Sequence, residues 1–437
     1  MHEIAAFGTI VLLVGAGVYL ALVVSKATER FPVPGPALFL LAAAIASDLS
    51  SRLAHELSIR AVERIGVVAL VVILFDGGMH VGWRRFRGSL APIAWLGVLG
   101  TFATAGLMAL AARYVLGFGW TTAGLVGAAI APTDPAVMFA VLGNREVGGR
   151  SGTILEGESG ANDPVGIALM IGLISLATHP HDSFWVVVRE FALDMSIGLA
   201  IGVAGGLLLV PAIRRFSLPN PALYPLRTLA AAAVVYGVAS VAHGSGFLAV
   251  FVAGLLVGDA RAPYKEEIER FHKSIASLAE IAVFVALGLT VSLSALWSDN
   301  RWLDGLVLAL LLALVARPLV VGTLLLPARL RIGERLFVMW GGLKGAVPIL
   351  LAAFALLAGV PDARKIYGIV FVVVLFSVLV QGTSIPGAAH RLGVPMRVVE
   401  QEPWDLSIRL RREPHDVERY VVGVGSRADG QTIRDLP

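Results

Sequence analysis

Gly157-Glu158-Ser159-Gly160-Ala161-Asn162-Asp163, followed at once by Pro164, lies in a run from about residue 153 to 178 that is otherwise apolar enough to cross a bilayer. A carboxylate at the bilayer centre costs between about 2.5 and about 17 kcal/mol depending on the reference state, so acids there are rare and mark function. One apolar segment earlier, Pro132-Thr133-Asp134-Pro135 repeats the anomaly. Together the two stretches point to ions or protons handled within the membrane.

Composition supports that setting. The 437 residues are 57% hydrophobic and only 15% charged, with a mean hydropathy of +0.80, values that soluble domains seldom reach. The formal charge of +4 is small and scattered over loops, so nucleic acid is not an expected partner. Without cysteine, disulfides and thiolate metal sites are excluded. The chain opens Met1-His2-Glu3 and runs directly into apolar sequence. It lacks the basic flank and cleavage pattern of a signal peptide, so this first run, from 4 to 25, is expected to be retained as a span.

Windows able to cross roughly 30 Å of hydrocarbon number about thirteen, which makes an all-α polytopic membrane protein the expected fold class. The second and ninth windows, 36–47 and 246–258, are short. With the N-terminus outside, the cytoplasmic loops hold about sixteen Lys and Arg and the opposite loops about seven. That bias places the N-terminus outside and the polar C-terminal tail in the cytoplasm of a cell, with a prokaryotic inner or plasma membrane as the expected location.

Two spans are interrupted. In the fifth, about 121–142, Pro132 and Pro135 bracket Thr133-Asp134 and remove backbone donors beside the polar side chains. In the twelfth, about 334–358, Gly341-Gly342-Leu343-Lys344-Gly345-Ala346-Val347-Pro348 sets a flexible, charged break in apolar sequence. If the first six and last six spans are repeats around span seven, spans five and twelve occupy equivalent positions. An even repeat separated by one span is inverted in the membrane, the arrangement of secondary transporters whose site is built from paired discontinuous helices.

On a helix, Ser159 and Asp163 share one face, and Glu158 and Asn162 share the neighbouring one. Asp134 and Asp163 both precede proline and are each expected at a bend. Pro164 also frees a carbonyl near Gly160. Carboxylate, hydroxyl and carbonyl oxygens together suit an alkali cation that sheds its water, and Thr133 can add another from the crossing span. A proton and a cation each neutralise the one carboxylate, so they exclude one another at Asp163. Neutral Asn162 beside it makes the exchange one for one and electroneutral.

Other intramembrane charges need partners. Arg317, before Pro318 in span eleven, is assigned to Glu158. Lys344, one of five lysines against thirty arginines, balances either Asp134 or the half-helix dipoles of the broken spans. Asp76 either lines a cytoplasmic funnel or is a solvated acid at a helix end. Glu280 and Asp194 are either buried, hydrogen-bonded acids or helix-end residues. The histidines at 55, 179 and 181 fall in loops, and Trp83, Trp120, Trp185, Trp297 and Trp302 near span ends fit an aromatic belt.

Thr133-Asp134-Pro135, Gly157-Glu158-Ser159 with Asn162-Asp163-Pro164, Gly246-Phe247-Leu248-Ala249 and Gly342-Leu343-Lys344-Gly345-Ala346 together resemble the monovalent cation/proton antiporter family, in its electroneutral Asn-Asp branch, over about residues 4 to 390. The resemblance implies Asp163 as the carrier of ion and proton, Thr133 and Ser159 as ligands, Asp134 and Asn162 as supporting residues, and a Glu158 to Arg317 pair. It also implies alternating access in a homodimer embedded in membrane lipid, with a core moving against a dimerisation part and no cofactor or catalytic residue. Lys344 stands where the family usually has arginine, and Asp76 where it usually has glutamate. Both departures resemble the potassium/proton subgroup. Residues 1–390 are thus the expected antiporter domain and 391–437 a cytoplasmic tail. Within that tail, after Glu418 to Ser426, Gly430 to Pro437 resemble the opening of the regulatory domain found after potassium transporters and channels, expected to be incomplete here and to be a place for a regulatory ligand when whole. Gly423-Val424-Gly425 does not fit a dinucleotide fingerprint.

Potassium/proton antiport is therefore the expected function, with sodium or lithium in place of potassium as the alternative. Reading Gly157-Glu158-Ser159-Gly160 as the serine motif of an intramembrane protease with His243 as base leaves Asp163, Asp134, Arg317 and Lys344 unexplained. A potassium channel lacks any Thr-Val-Gly-Tyr-Gly filter in this sequence.

Overall fold

The computed structural model describes Tyr19 and residues 34–49, 58–134, 137–138, 142, 145–179, 184–298 and 300–398. The expected first span, Tyr19 apart, and the tail beyond 398 lie outside the described residues. The helices, in chain order, are α1 (Gly35–Leu49), α2 (Ile59–Val81), the six-residue α3 (Trp83–Gly88), α4 (Leu90–Tyr114), α5 (Trp120–Ile130), α6 (Gly149–Thr178), α7 (Phe184–Arg215), α8 (Leu223–Val241), α9 (Gly246–Gly258), α10 (Lys265–Leu289), α11 (Leu293–Ser298), α12 (Arg301–Leu324), α13 (Ile332–Trp340), α14 (Ala346–Leu357) and α15 (Ala363–Arg391). Seven of them, α4, α6, α7, α8, α10, α12 and α15, are long and apolar enough to cross a membrane, and α1, α5, α9 and α14 are shorter apolar helices. α2 has the length, 23 residues, with its charges near the two ends. The protein is the all-α polytopic membrane protein that its hydropathy predicts.

Apolar side chains gain little by leaving lipid for protein, so close backbone approach has to hold the bundle together. The glycines provide it. Gly78 on α2 lies against the Phe251 carbonyl of α9, and Gly254 on α9 lies against the Phe75 carbonyl of α2, each with no room for a Cβ. Gly198 and Gly202 of α7 meet Ser245 and Ala249 of α9 in the same way.

Spans five and twelve are broken where the sequence predicts. α5 and α14 are 11 and 12 residues long, so each covers only about 17 Å, roughly half of the hydrocarbon. Residues 132–134 are non-helical after α5, and Val137 and Met138 are helical again. Residues 342–345 are likewise non-helical between α13 and α14. The interruptions touch: the Asp134 backbone N–H donates to the Leu343 carbonyl at 2.8 Å.

The proline at 164 behaves differently. A bend is expected at Asp163, yet α6 remains helical over its full 30 residues with Pro164 inside. One lost hydrogen bond is affordable where tertiary packing is dense. Here Gly157 is packed on Ile93, Gly160 on Phe251 and Gly166 on Pro132. One element has no counterpart in the hydropathy. Residues Arg145–Val147 (β1) and Met396–Val398 (β2) pair antiparallel, with Glu146 opposite Arg397. The pairing satisfies loop backbone groups just before α6 and just after α15.

Candidate functional site

The centre of the molecule is the crossing of the two interrupted spans against α6. Thr133, in the non-helical stretch after α5, is gripped from α6 at three points. Its carbonyl accepts the Ser159 Oγ–H at 2.6 Å, its Oγ1 accepts from Asn162 Nδ2 at 2.7 Å, and its N–H donates to Asn162 Oδ1 at 3.3 Å. With Ser159 giving its proton to the carbonyl, the lone pairs of Oγ stay open to a further partner. Asp163 stands one turn along the same face of α6, only 5% exposed. Its Oδ1 is buried without a hydrogen-bond donor among the described residues. Asp134 and Lys344 are the charges that act on it.

Charges close off the half-helices. Lys344 Nζ donates to the carbonyls of Ala131 and Pro132, both at 2.8 Å. A cation there meets the negative end of the α5 dipole and satisfies carbonyls that have no partner within the helix. Of the two alternatives for Lys344, the direct hydrogen bonds are to the half-helix end. Its own N–H donates to Ser377 Oγ at 2.9 Å, and that hydroxyl donates to Gln381 Oε1 at 2.8 Å. Asp134 lies against Gly345, where a Cβ would overlap the carboxylate, at the positive N-terminal end of α14.

Arg317 does for α13 what Lys344 does for α5. Its NH1 bonds Glu158 Oε1 at 2.5 Å and its NH2 reaches Oε2 at 3.5 Å. NH2 also donates to the Val338 carbonyl at 3.2 Å, in the last turn of α13. Both side chains of the pair are buried, at 4% and 3% exposure, and Gly342 is bare because the guanidinium lies on its Cα. The crevice beside the pair, bounded by Thr101, Thr104 and Asn162, has no room for a water molecule.

Thr133, Ser159, Asn162, Asp163, Asp134, Lys344, Glu158 and Arg317 are thus brought together. Asp76 is not. It sits half-buried on α2, with Lys273 and Glu269 of α10 as its charged neighbours. Glu280 fits neither alternative read for it in the sequence: it lies inside α10, well short of that helix's end at Leu289, and its Oε1 is buried without a hydrogen-bond partner among the described residues. Its charged neighbour is Asp134. A signal was present in the spacing, since Glu269, Lys273 and Glu280 recur at intervals of 4 and 7 on one face of an apolar helix. Ser377 and Gln381, which hold the Lys344 backbone, sit in a wide turn at Ser377–Gly382 of α15 that no periodicity announces.

Among curated proteins, the chain is 41% identical over 335 residues to the K(+)/H(+) antiporter NhaP of Alkalimonas amylolytica, covering 76% of this chain and 58% of that protein. It is 34% identical over 326 residues to the K(+)/H(+) antiporter NhaP2 of Shewanella sp. (strain ANA-3), covering 74% and 56%. The chain therefore spans less than three fifths of the length of these relatives. Among solved structures, the sodium proton antiporter MjNhaP1 from Methanocaldococcus jannaschii superposes with a TM-score of 0.74 at 24% identity, covering 87% of this chain and 100% of that one. That likeness establishes the fold. The model of the transmembrane sodium/hydrogen exchanger family matches residues 7–390, and the chain belongs to this family.

Proposed function

We propose that the protein is an electroneutral monovalent cation/proton antiporter that exchanges K⁺ for H⁺ by alternating access, with Asp163 as the shared carrier. The observation that carries this reading is the Asp163 carboxylate oxygen, buried at the crossing without a donor. A carboxylate in hydrocarbon needs a proton or a cation. Ser159 Oγ and Thr133 Oγ1 offer the neutral oxygens that replace the water of an alkali ion, and Asn162 holds Thr133 in place. Asp134 and Lys344 fix the half-helix ends, and the Glu158–Arg317 pair braces α6 against α12 and α13. Asp76 belongs to the cytoplasmic approach.

Potassium is favoured because the relatives described above, at 41% and 34% identity, carry that ion in their names. Sodium or lithium is the second reading, favoured by the 28% identity to the Na(+)/H(+) antiporter ApNhaP of Aphanothece halophytica. The remaining architecture follows the same reading. Residues 1–390 form the antiporter domain, with core and dimerisation parts in a homodimer. Residues 391–437 are a cytoplasmic tail of regulatory character that answers to a ligand, and the N-terminus lies outside a prokaryotic plasma membrane.

Proton flux in proteoliposomes tests the proposal, with K⁺, Na⁺ and Li⁺ added in turn and the potential clamped by an ionophore. K⁺-driven alkalinisation at clamped potential is the expected result. No pH change with any of the three ions sinks antiport; a response to Na⁺ and Li⁺ alone replaces the potassium reading with the sodium one.

A further inference from the structure

Away from the crossing, the junction of α2, α3, α7 and α9 carries cations that the ion site does not use. Gly82, at φ +69°, turns the chain from α2 into α3. Asp259, just past α9, pins that turn: its Oδ2 accepts the Arg84 backbone N–H at 2.5 Å, and its Oδ1 lies where a Cβ on Gly82 would need to be. Arg214, in the last turn of α7, is tied to the same junction, its Nε donating to the Arg261 carbonyl at 2.7 Å. The elements so joined border an open cavity of about 400 Å³.

Arg84, Arg87 and Arg214 line this cavity, with Trp83, Leu207 and Leu256 on its apolar side. Asp259 is the one acid in the lining, and a backbone N–H already engages it. Among the described residues, neither Arg84 nor Arg87 forms an ion pair. Guanidinium groups gathered on one space repel until an anion joins them, and their fork of donors matches phosphate oxygens. The apolar side opens outward, since Leu207 is 61% and Leu208 72% exposed on α7. On a spanning helix such side chains meet acyl chains. The occupant has to present phosphate and hydrocarbon together.

We infer that this cavity binds the headgroup phosphate of an anionic glycerophospholipid, with its acyl chains lying along Leu207 of α7. Basic pockets between spans are suited to such headgroups. The site is independent of the ion carried at Asp163.

Native mass spectrometry and thermal unfolding of the purified protein in neutral detergent test the inference, with phosphatidylglycerol, phosphatidylcholine or glycerol phosphate added. Phosphatidylglycerol is expected to bind and to raise the unfolding midpoint, phosphatidylcholine to do so far more weakly, and glycerol phosphate not at all. Each arginine near an anionic headgroup contributes about fivefold in affinity, so R87Q weakens phosphatidylglycerol about fivefold and R84Q/R87Q/R214Q about a hundredfold. Among the described residues the Arg87 side chain forms no hydrogen bond or ion pair, so the single variant remains informative if the triple variant does not fold. Equal binding of the two lipids by the parent overturns the inference, as does undiminished phosphatidylglycerol binding by R87Q. An equal shift with glycerol phosphate makes this a site for free phosphate and overturns the lipid.

Discussion

Asp163 and Glu158 are both buried acids on α6, five residues apart, and their surroundings assign them opposite tasks. Glu158 is locked to Arg317 by two contacts, whereas Asp163 keeps an oxygen without a donor among the described residues. D163N removes the charge and keeps the shape, so it is expected to abolish cation-driven proton flux while leaving the unfolding midpoint equal to or above the parent's. Substantial flux in that variant removes Asp163 from the carrier role. E158Q and R317Q each strand a charge in a medium that solvates it poorly, and each is expected to lose about 3 to 5 kcal/mol of stability. The double variant should lose less than the sum of the two, read as a coupling energy in a double-mutant cycle. Asn162 is more than a neutral neighbour of Asp163. It donates to Thr133 Oγ1 and accepts from the Thr133 N–H, so N162D keeps the acceptor and loses the donor. A loss of about 1 to 3 kcal/mol and weaker exchange are expected from N162D, and a variant as stable as the parent would show that the Thr133 contact contributes nothing.

The broken helices share a simple electrostatic plan. Each ends on a buried cation from elsewhere, Lys344 for α5 and Arg317 for α13, and Asp134 lies at the start of α14. Glycines make the approach close enough. A methyl at Gly345 would overlap the Asp134 carboxylate, so G345A is expected to reduce both stability and transport. Gly106 on α4 has open space around it, and G106A should instead gain about 0.5 to 1 kcal/mol from helix propensity alone. Opposite signs for the two variants in thermal unfolding separate close approach from propensity. The breaks themselves were legible because proline, glycine and charge coincide in apolar sequence. The continuity of α6 through Pro164 was not, since it depends on Ile93, Phe251 and Pro132, which pack from three other segments. The β1–β2 pairing and the Gly148 N–H bond to the Pro395 carbonyl at 2.7 Å join segments about 250 residues apart. Three-residue strands carry no period to read.

For the molecule as a whole, hydropathy placed nearly every span among the described residues, because bilayer thickness imposes a length that sequence cannot disguise. Glu280 escaped assignment for the opposite reason: its meaning comes from the charge of Asp134, a relation between α10 and the broken fifth span. The proposed one-for-one stoichiometry would be a property of the complete cycle, in which Asp163 is expected to cross neutral with either ion. At balance, a K⁺ gradient of about tenfold then opposes a proton gradient of about one pH unit, whatever the membrane potential. A cycle that moved one net charge would instead gain or lose about 2.3 kcal/mol per 100 mV, which displaces the balance roughly fiftyfold. Proteoliposomes poised at a series of K⁺ and pH gradients, with the potential set independently, locate the null point of flux. A null point that stays fixed as the potential is varied is expected; one that moves with potential shows that a second charge accompanies the exchange, and Glu280 is then the first acid to neutralise, as E280Q, to find it.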